Sequence, residues 1–248
     1  MKRISNKIGF FGQDGFQILA NEYGKNSTPS FILFQEDGEH YFGQQAQTLA
    51  SMYPKDTIFD IKNILGRRYS QITSEEKERW PFTLEEREND TLMIVTDSYG
   101  EHEPTEVAGL IIKDLLQLAK NLGKQADNVV ISIPCYYEEP QKKAMMSAAQ
   151  YAEIKNVKLV QEPLSAAMWY TFWLSQVRGI EDNRDIVIID LGAETFSLTG
   201  ISIEQNSNGK KMNLKVNEND KNIGGKFFDY IILDYVLKQF EKQVTISE

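Results

Sequence analysis

The chain of 248 residues carries a formal net charge of −9, with 41% hydrophobic and 25% charged residues. That balance suits a globular protein long enough for one large domain or two lobes, and the acidic excess argues against general nucleic-acid binding, which needs clustered Lys and Arg. One cysteine, Cys135, precludes an intrachain disulfide, and with only His40 and His102 beside it a His/Cys zinc site is not expected.

No apolar run approaches a membrane span, and the one after residues 1–6 is too short for a signal peptide. A cytoplasmic protein without membrane association is the expectation. Residues 7–11 read as a short strand stopping at Gly12, Asp14-Gly15 as a hairpin turn and 16–20 as the returning strand. A loop over 21–30 leads to a strand at 31–34, and Asp37-Gly38 turns the chain again, giving a β-meander. A helical stretch at 44–52 closes at Pro54. The spacing of Ile58, Ile61, Ile64 and Leu65 predicts a helix over 57–65. Residues 71–79 are polar apart from Ile72 and read as exposed, and 82–97 suggest two strands.

The clearest helix is 104–122, where Val107, Leu110, Ile111, Leu115 and Leu118 share a face and Gly123 stands at the C-cap position. Strand 129–133 stops at Pro134, and Pro140 fits the first turn of a helix over 140–152. Strand 157–160 then feeds a helix from Glu162-Pro163 to 176. This alternation predicts an α/β fold with helices on the faces of a mixed sheet. On the last helix Trp169, Tyr170, Phe172 and Trp173 read as core and flank rather than a ligand cage. Cys135 reads as a packed small residue, with no histidine near it in sequence to activate it. Residues 178–184 form a polar connector.

The chain is organised around 186–196, where Ile186-Val187-Ile188-Ile189 runs into Asp190-Leu191-Gly192 and reverses into a second strand, with 211–216 as a third. Four consecutive β-formers suggest a strand buried on both faces. A carboxylate before such a turn can hold a metal-bound water while the turn's amides hold phosphate oxygens. An ordinary hairpin is the competing reading of this stretch alone. Gly224-Gly225 then lies in a loop ahead of a helix running to about Phe240.

The order of motifs resembles one family. Residues 186–196 resemble the second phosphate motif of the actin-like ATPase (ribonuclease H-like) fold, and Ile8-Gly9-Phe10-Phe11-Gly12 stands where that fold has its first phosphate hairpin. Thr28-Pro29-Ser30, Phe59-Asp60-Ile61-Lys62, Gly66-Arg67-Arg68, Ile131-Ser132-Ile133-Pro134, Gln161-Glu162-Pro163 and Ile223-Gly224-Gly225 with Phe228-Asp229 look like the ATPase domain of the Hsp70 (DnaK-like) heat-shock chaperones. Ala20-Asn21-Glu22-Tyr23 and Gly224-Gly225-Lys226 lean towards the larger heat-shock 110 branch, whose members act as exchange factors for the Hsp70 chaperones.

The resemblance implies catalytic roles for Lys62, which would reach the γ-phosphate, and for Glu162 and Asp190 around Mg²⁺, Asp190 acting through water. It implies nucleotide contacts at Gly12, Gly192, Thr195, Gly224 and Gly225. Pro134 matches a nucleotide-sensing proline, with Lys142 in place of its arginine partner. Read without the resemblance, Lys62 is a solvated helix lysine and Glu162 a helix-start acid favoured by the dipole.

Four positions depart from the family pattern. Phe10 stands at the aspartate of the first motif and cannot hold metal-bound water; Ala193 and Glu194 replace two glycines; Ser197 replaces a later acid. Glu194 places a negative charge near the phosphates, and phosphoryl transfer depends on positioned charge there. The expectation is a divergent chaperone-family nucleotide-binding domain that binds ATP or ADP with Mg²⁺ weakly or not at all, hydrolyses little, and works through an Hsp70 chaperone or a client protein. The alternative is a catalytically inactive actin-like scaffold subunit of a larger assembly. The resemblance also implies a first lobe at 1–178, with 36–103 as its peripheral subdomain, and the opening of an incomplete second lobe at 184–248. If the native chain is truncated there, the 186–203 sheet needs a protein to cover it.

Overall fold

The computed structural model describes residues 5–12, 15–125, 127–179, 183–206, 209–221 and 223–243. Asp14 of the expected Asp14-Gly15 turn and the middle of the 178–184 connector lie outside these. Contacts divide the described residues into two compact units, one of 5–131 together with 137–159, the other of 132–136 together with 160 onward.

In chain order the elements up to residue 161 are β1 (Ser5–Asn6), β2 (Gly9–Gly12), β3 (Gly15–Ile18), β4 (Thr28–Pro29), β5 (Phe31–Phe34), β6 (His40–Phe42), α1 (Gln44–Leu49), β7 (Thr57–Phe59), α2 (Ile61–Ile64), α3 (Ser74–Lys77), β8 (Thr83–Arg87), β9 (Thr91–Thr96), β10 (Gly100–His102), α4 (Pro104–Asn121), β11 (Asn128–Ile133), α5 (Glu139–Tyr151) and β12 (Asn156–Gln161). Strands β2 and β3 form a hairpin, β5 lies between β6 and β7, β9 lies between β8 and β10, and β11 pairs with β12. The core of this first unit gathers Ile32, Ile58, Ile64, Leu65, Ile94 and Val107, none more than 2% exposed. Of the expected face of α4, Val107 and Ile111 are buried, whereas Leu110, Leu115 and Leu118 are half-buried.

The expected helix over 57–65 is corrected. Residues 57–59 instead pair antiparallel with β5, and only Ile61–Ile64 is helical. Between them Asp60 is buried in a left-handed conformation at φ 59°, accepting a hydrogen bond from the indole of Trp80 at 3.3 Å. The apolar spacing arises because Ile58 on a strand and Ile61 and Ile64 on a short helix, on either side of the Asp60 turn, enter the same core. Likewise 71–79 is not wholly exposed: Ile72 is buried, and Thr73 and Glu76 form a capping box on α3.

In the second unit, α6 (Glu162–Trp173) passes into a π-helical turn over Leu174–Arg178, followed by β13 (Arg184–Leu191), β14 (Phe196–Asn206), β15 (Gly209–Asp220) and α7 (Gly225–Gln243). The three strands form an antiparallel sheet in order β13-β14-β15, with a bulge at Gly200/Ile201. Its covered face packs Ile201 and Ile203 on Ala167 of α6, with Leu164, Ile186, Ile188 and Met212 around them.

Two expectations are overturned here. Strand β13 is not buried on both faces: Val187 and Ile189 are 64% and 67% exposed. Side chains alternate across a strand, and α6 covers one face only. Nor are Trp169, Tyr170, Phe172 and Trp173 core residues; they are 56%, 41%, 53% and 38% exposed. Pro163, Ala167 and Thr171, spaced by four, bring the small side of α6 against the sheet and turn the aromatic rings outward.

Candidate functional site

The end of the β13–β14 ladder sets the geometry. Asp190 faces Ser197 and Leu191 faces Phe196, after which Gly192–Thr195 reverses the chain with the Gly192 amide donating to the Thr195 carbonyl at 2.9 Å. The loop entering α7 returns to this turn. The Gly225 amide donates to Gly192 O at 3.0 Å and the Lys226 amide to Ala193 O at 2.7 Å. At Gly224 a Cβ would stand 2.4 Å from the carbonyl carbon of Glu194, so only glycine permits this approach. Asp190, Gly192, Thr195, Gly224 and Gly225 are thereby gathered in one place. Beside them the Lys226 ammonium lies 3.7 Å from the Glu194 carboxylate, with side chains 26% and 14% exposed.

Strand β14 carries a polar row from this turn. Ser197 and Thr199 are buried, and the Thr199 hydroxyl donates to Asn217 Oδ1 at 3.3 Å. The Asn217 amide in turn donates to the carbonyl of Cys135 at 3.3 Å. Pro134, buried after β11, and Cys135 therefore belong to the same unit as the turn. Burial pushes the Cys135 thiol up; Asn217 and Ser197 oppose this, while the negative charge of Glu162 adds to it. The thiol is thus held protonated, which makes it a poor nucleophile. Glu162, half-buried, is the first residue of α6, where the helix dipole favours a carboxylate.

The first unit holds Gly12, Lys62 and Lys142. In the β2–β3 hairpin, Gly9 faces Ile18 and Gly12 faces Gly15. A Cβ on Gly12 would meet the Phe10 ring at 2.7 Å, and one on Gly9 would meet the Phe16 ring at 2.6 Å. Both glycines therefore serve to seat phenyl rings, and Lys124 lies over the Phe10 ring at 5.1 Å. Lys62 is half-buried on α2, its carbonyl accepting the Tyr137 hydroxyl at 2.8 Å. Lys142 pairs with Glu139 one helical turn away at 2.8 Å.

Sequence reasoning missed Lys226 as the counter-charge of Glu194, and Asn217 as the link to Cys135. Opposite charges beside a turn and a Gly-Gly loop were a signal, but two intervening strands conceal the pairing. Among the described residues no three His, Cys, Asp or Glu side chains cluster as metal ligands. No helix among them is long and apolar enough to cross a membrane.

The family model described as Hsp70 protein matches residues 5–248. A heat shock protein of Pyricularia oryzae is 29% identical over 92% of this chain and 36% of its own length. Chaperone protein DnaK of Akkermansia muciniphila is 30% identical over 91% of this chain and 34% of its own. A ribosome-associated molecular chaperone of Eremothecium gossypii is 28% identical over 95% and 38%. The chain thus spans little more than a third of the length of the curated relatives it matches. With a family match over almost the whole chain, it belongs to the Hsp70 family and has the actin-like α/β fold of that family's ATPase domain.

Proposed function

We propose that this chain is a divergent Hsp70-type nucleotide-binding domain that holds ATP or ADP with Mg²⁺ and hydrolyses ATP weakly or not at all. The observation carrying the binding half is the compact turn at Gly192–Thr195, met by the Gly224-Gly225 loop. Its glycines let backbone approach backbone, the arrangement in which amides can close on an anion. Mg²⁺, when bound, supplies charge neutralisation for the phosphate oxygens. In this reading Asp190 and Glu162 would hold its water ligands, the turn at Gly192–Thr195 would orient phosphate, and Lys62 would take the terminal-phosphoryl role that the resemblance implies. Gly12 has the weakest case among the proposed nucleotide contacts, because the Phe10 ring lies against it.

The weak-hydrolysis half is supported by Phe10 and Ser197, which remove two carboxylates from the family pattern, and by Glu194, which adds one. Pro134 and Lys142 are proposed to relay nucleotide state. The lobe division at 178–184, the cytoplasmic setting, and action through an Hsp70 chaperone or client protein belong to the same proposal. Titration calorimetry with Mg-ATP and Mg-ADP tests it. Micromolar affinity is the expected result; no heat at millimolar nucleotide overturns nucleotide binding and favours the scaffold reading, which the ring-covered first hairpin supports. Steady phosphate release that Lys62→Ala abolishes would overturn the weak-hydrolysis half.

A further inference from the structure

Glu194 stands in a turn otherwise suited to an anion, yet its carboxylate does not go uncompensated. The loop is held on the turn by the Gly225 and Lys226 amides, at 3.0 and 2.7 Å from the carbonyls of Gly192 and Ala193, and the Lys226 ammonium reaches Glu194 at 3.7 Å. Both side chains are largely sheltered, so solvent and salt screen the pair less than an exposed one. Lys226 lies in the first turn of α7, where a cation opposes the helix dipole. Glu194 supplies the negative charge that this helix start favours.

We propose that the Glu194–Lys226 pair is an internal closure of the second turn, with the Glu194 carboxylate standing in for phosphate. The pair fastens loop to turn and occupies the Lys226 cation, which would otherwise meet an incoming anion. Phosphate binding then requires the pair to open, so Glu194 sets the affinity of the turn for anions. The closure rests on the loop geometry alone, whereas its effect on ligand rests on the nucleotide-binding reading above.

A charge swap tests the closure without ligand. E194K and K226E each bring like charges together, and E194K/K226E restores an opposite pair. Amide hydrogen exchange at Gly225 and Lys226 should accelerate about tenfold or more in each single variant and return to within about threefold in the swap. A swap that exchanges as fast as the single variants, or singles that match the starting chain, overturns the closure. If a reversal fails to fold, E194Q, K226M and their combination supply the same cycle, with non-additive protection expected and additive effects overturning it. For the consequence, Glu194→Gln should tighten Mg-ADP binding about tenfold, and unchanged or weaker affinity overturns the gating role. Silence of both chains at millimolar nucleotide overturns the nucleotide reading and the gating with it, while the exchange result still decides the closure.

Discussion

Gly224 is a residue where one methyl group should be felt. Its missing Cβ would meet the carbonyl carbon and oxygen of Glu194 at 2.4 and 2.7 Å, and these are backbone atoms that cannot rotate aside. Gly224→Ala should cost about 1–3 kcal/mol in urea denaturation. Gly225→Ala, whose nearest neighbour stands at 3.5 Å, should leave the midpoint nearly unchanged. The two histidines act with opposite signs. His40 gains Asp114 at 2.8 Å, and this hydrogen bond raises its pKa against the opposing effect of burial. Its stabilisation is complete below the ordinary value of about 6.5 and is lost as pH rises through the raised one. His102 is 2% exposed and stacked on Phe34 at a centroid distance of 3.9 Å, and neither ring nitrogen has a hydrogen-bond partner among the described residues. Burial lowers its pKa, only partly countered by Glu106, so its contribution is present above the ordinary value and lost as pH falls through the lowered one. Urea midpoints measured between about pH 5 and 8 should crest in the middle. His40→Gln should remove the decline on the alkaline side and His102→Phe the decline on the acid side; a flat profile in the starting chain would contradict both assignments.

Among the elements, α6 is the one whose character the sequence misrepresents. Its aromatic residues suggest a buried helix, yet its smallest side chains face the sheet. Ala167 is fully buried against Ile201 and Ile203. Ala167→Leu should therefore destabilise by about 1–3 kcal/mol through overpacking, whereas Trp169→Ala and Phe172→Ala should stay within about 0.5 kcal/mol, as exposed positions do. A larger loss at Trp169 than at Ala167 in chemical denaturation would reverse this account. The 57–65 segment illustrates the same ambiguity at shorter range. Apolar residues at helical intervals record which side chains enter the core, and a strand followed by a turn can satisfy that record as well as a helix.

For the whole molecule the relevant balance is between exposed apolar area and charge. Val187, Ile189 and Leu191 on β13, and Ile231, Ile232, Val236 and Phe240 on α7, are all more than half exposed. Apolar side chains exposed in rows along a strand and a helix favour association. A net charge of −9 opposes it, and salt screens charge without weakening apolar contact. Sedimentation velocity on this chain should show average mass rising with salt and concentration, and Ile189→Lys with Val236→Lys should suppress the rise. A monomer at every salt concentration would show that these side chains do not drive association.

By itself the sequence determined most of the order of strands and helices, though not the strand at 57–59 or the short helix α3, together with the turn after Asp190, the Gly224-Gly225 loop and membership of the family, because period, turn chemistry and motif order are properties of neighbours along the chain. It also exposed the altered charges at Phe10, Glu194 and Ser197 residue by residue. Only the tertiary structure decided which face of β13 and of α6 is covered, that Phe10 and Phe16 lie over glycines, and that Glu194 meets Lys226. Burial and ion pairing depend on partners that folding brings together across long stretches of sequence, and no local pattern records which partner arrives.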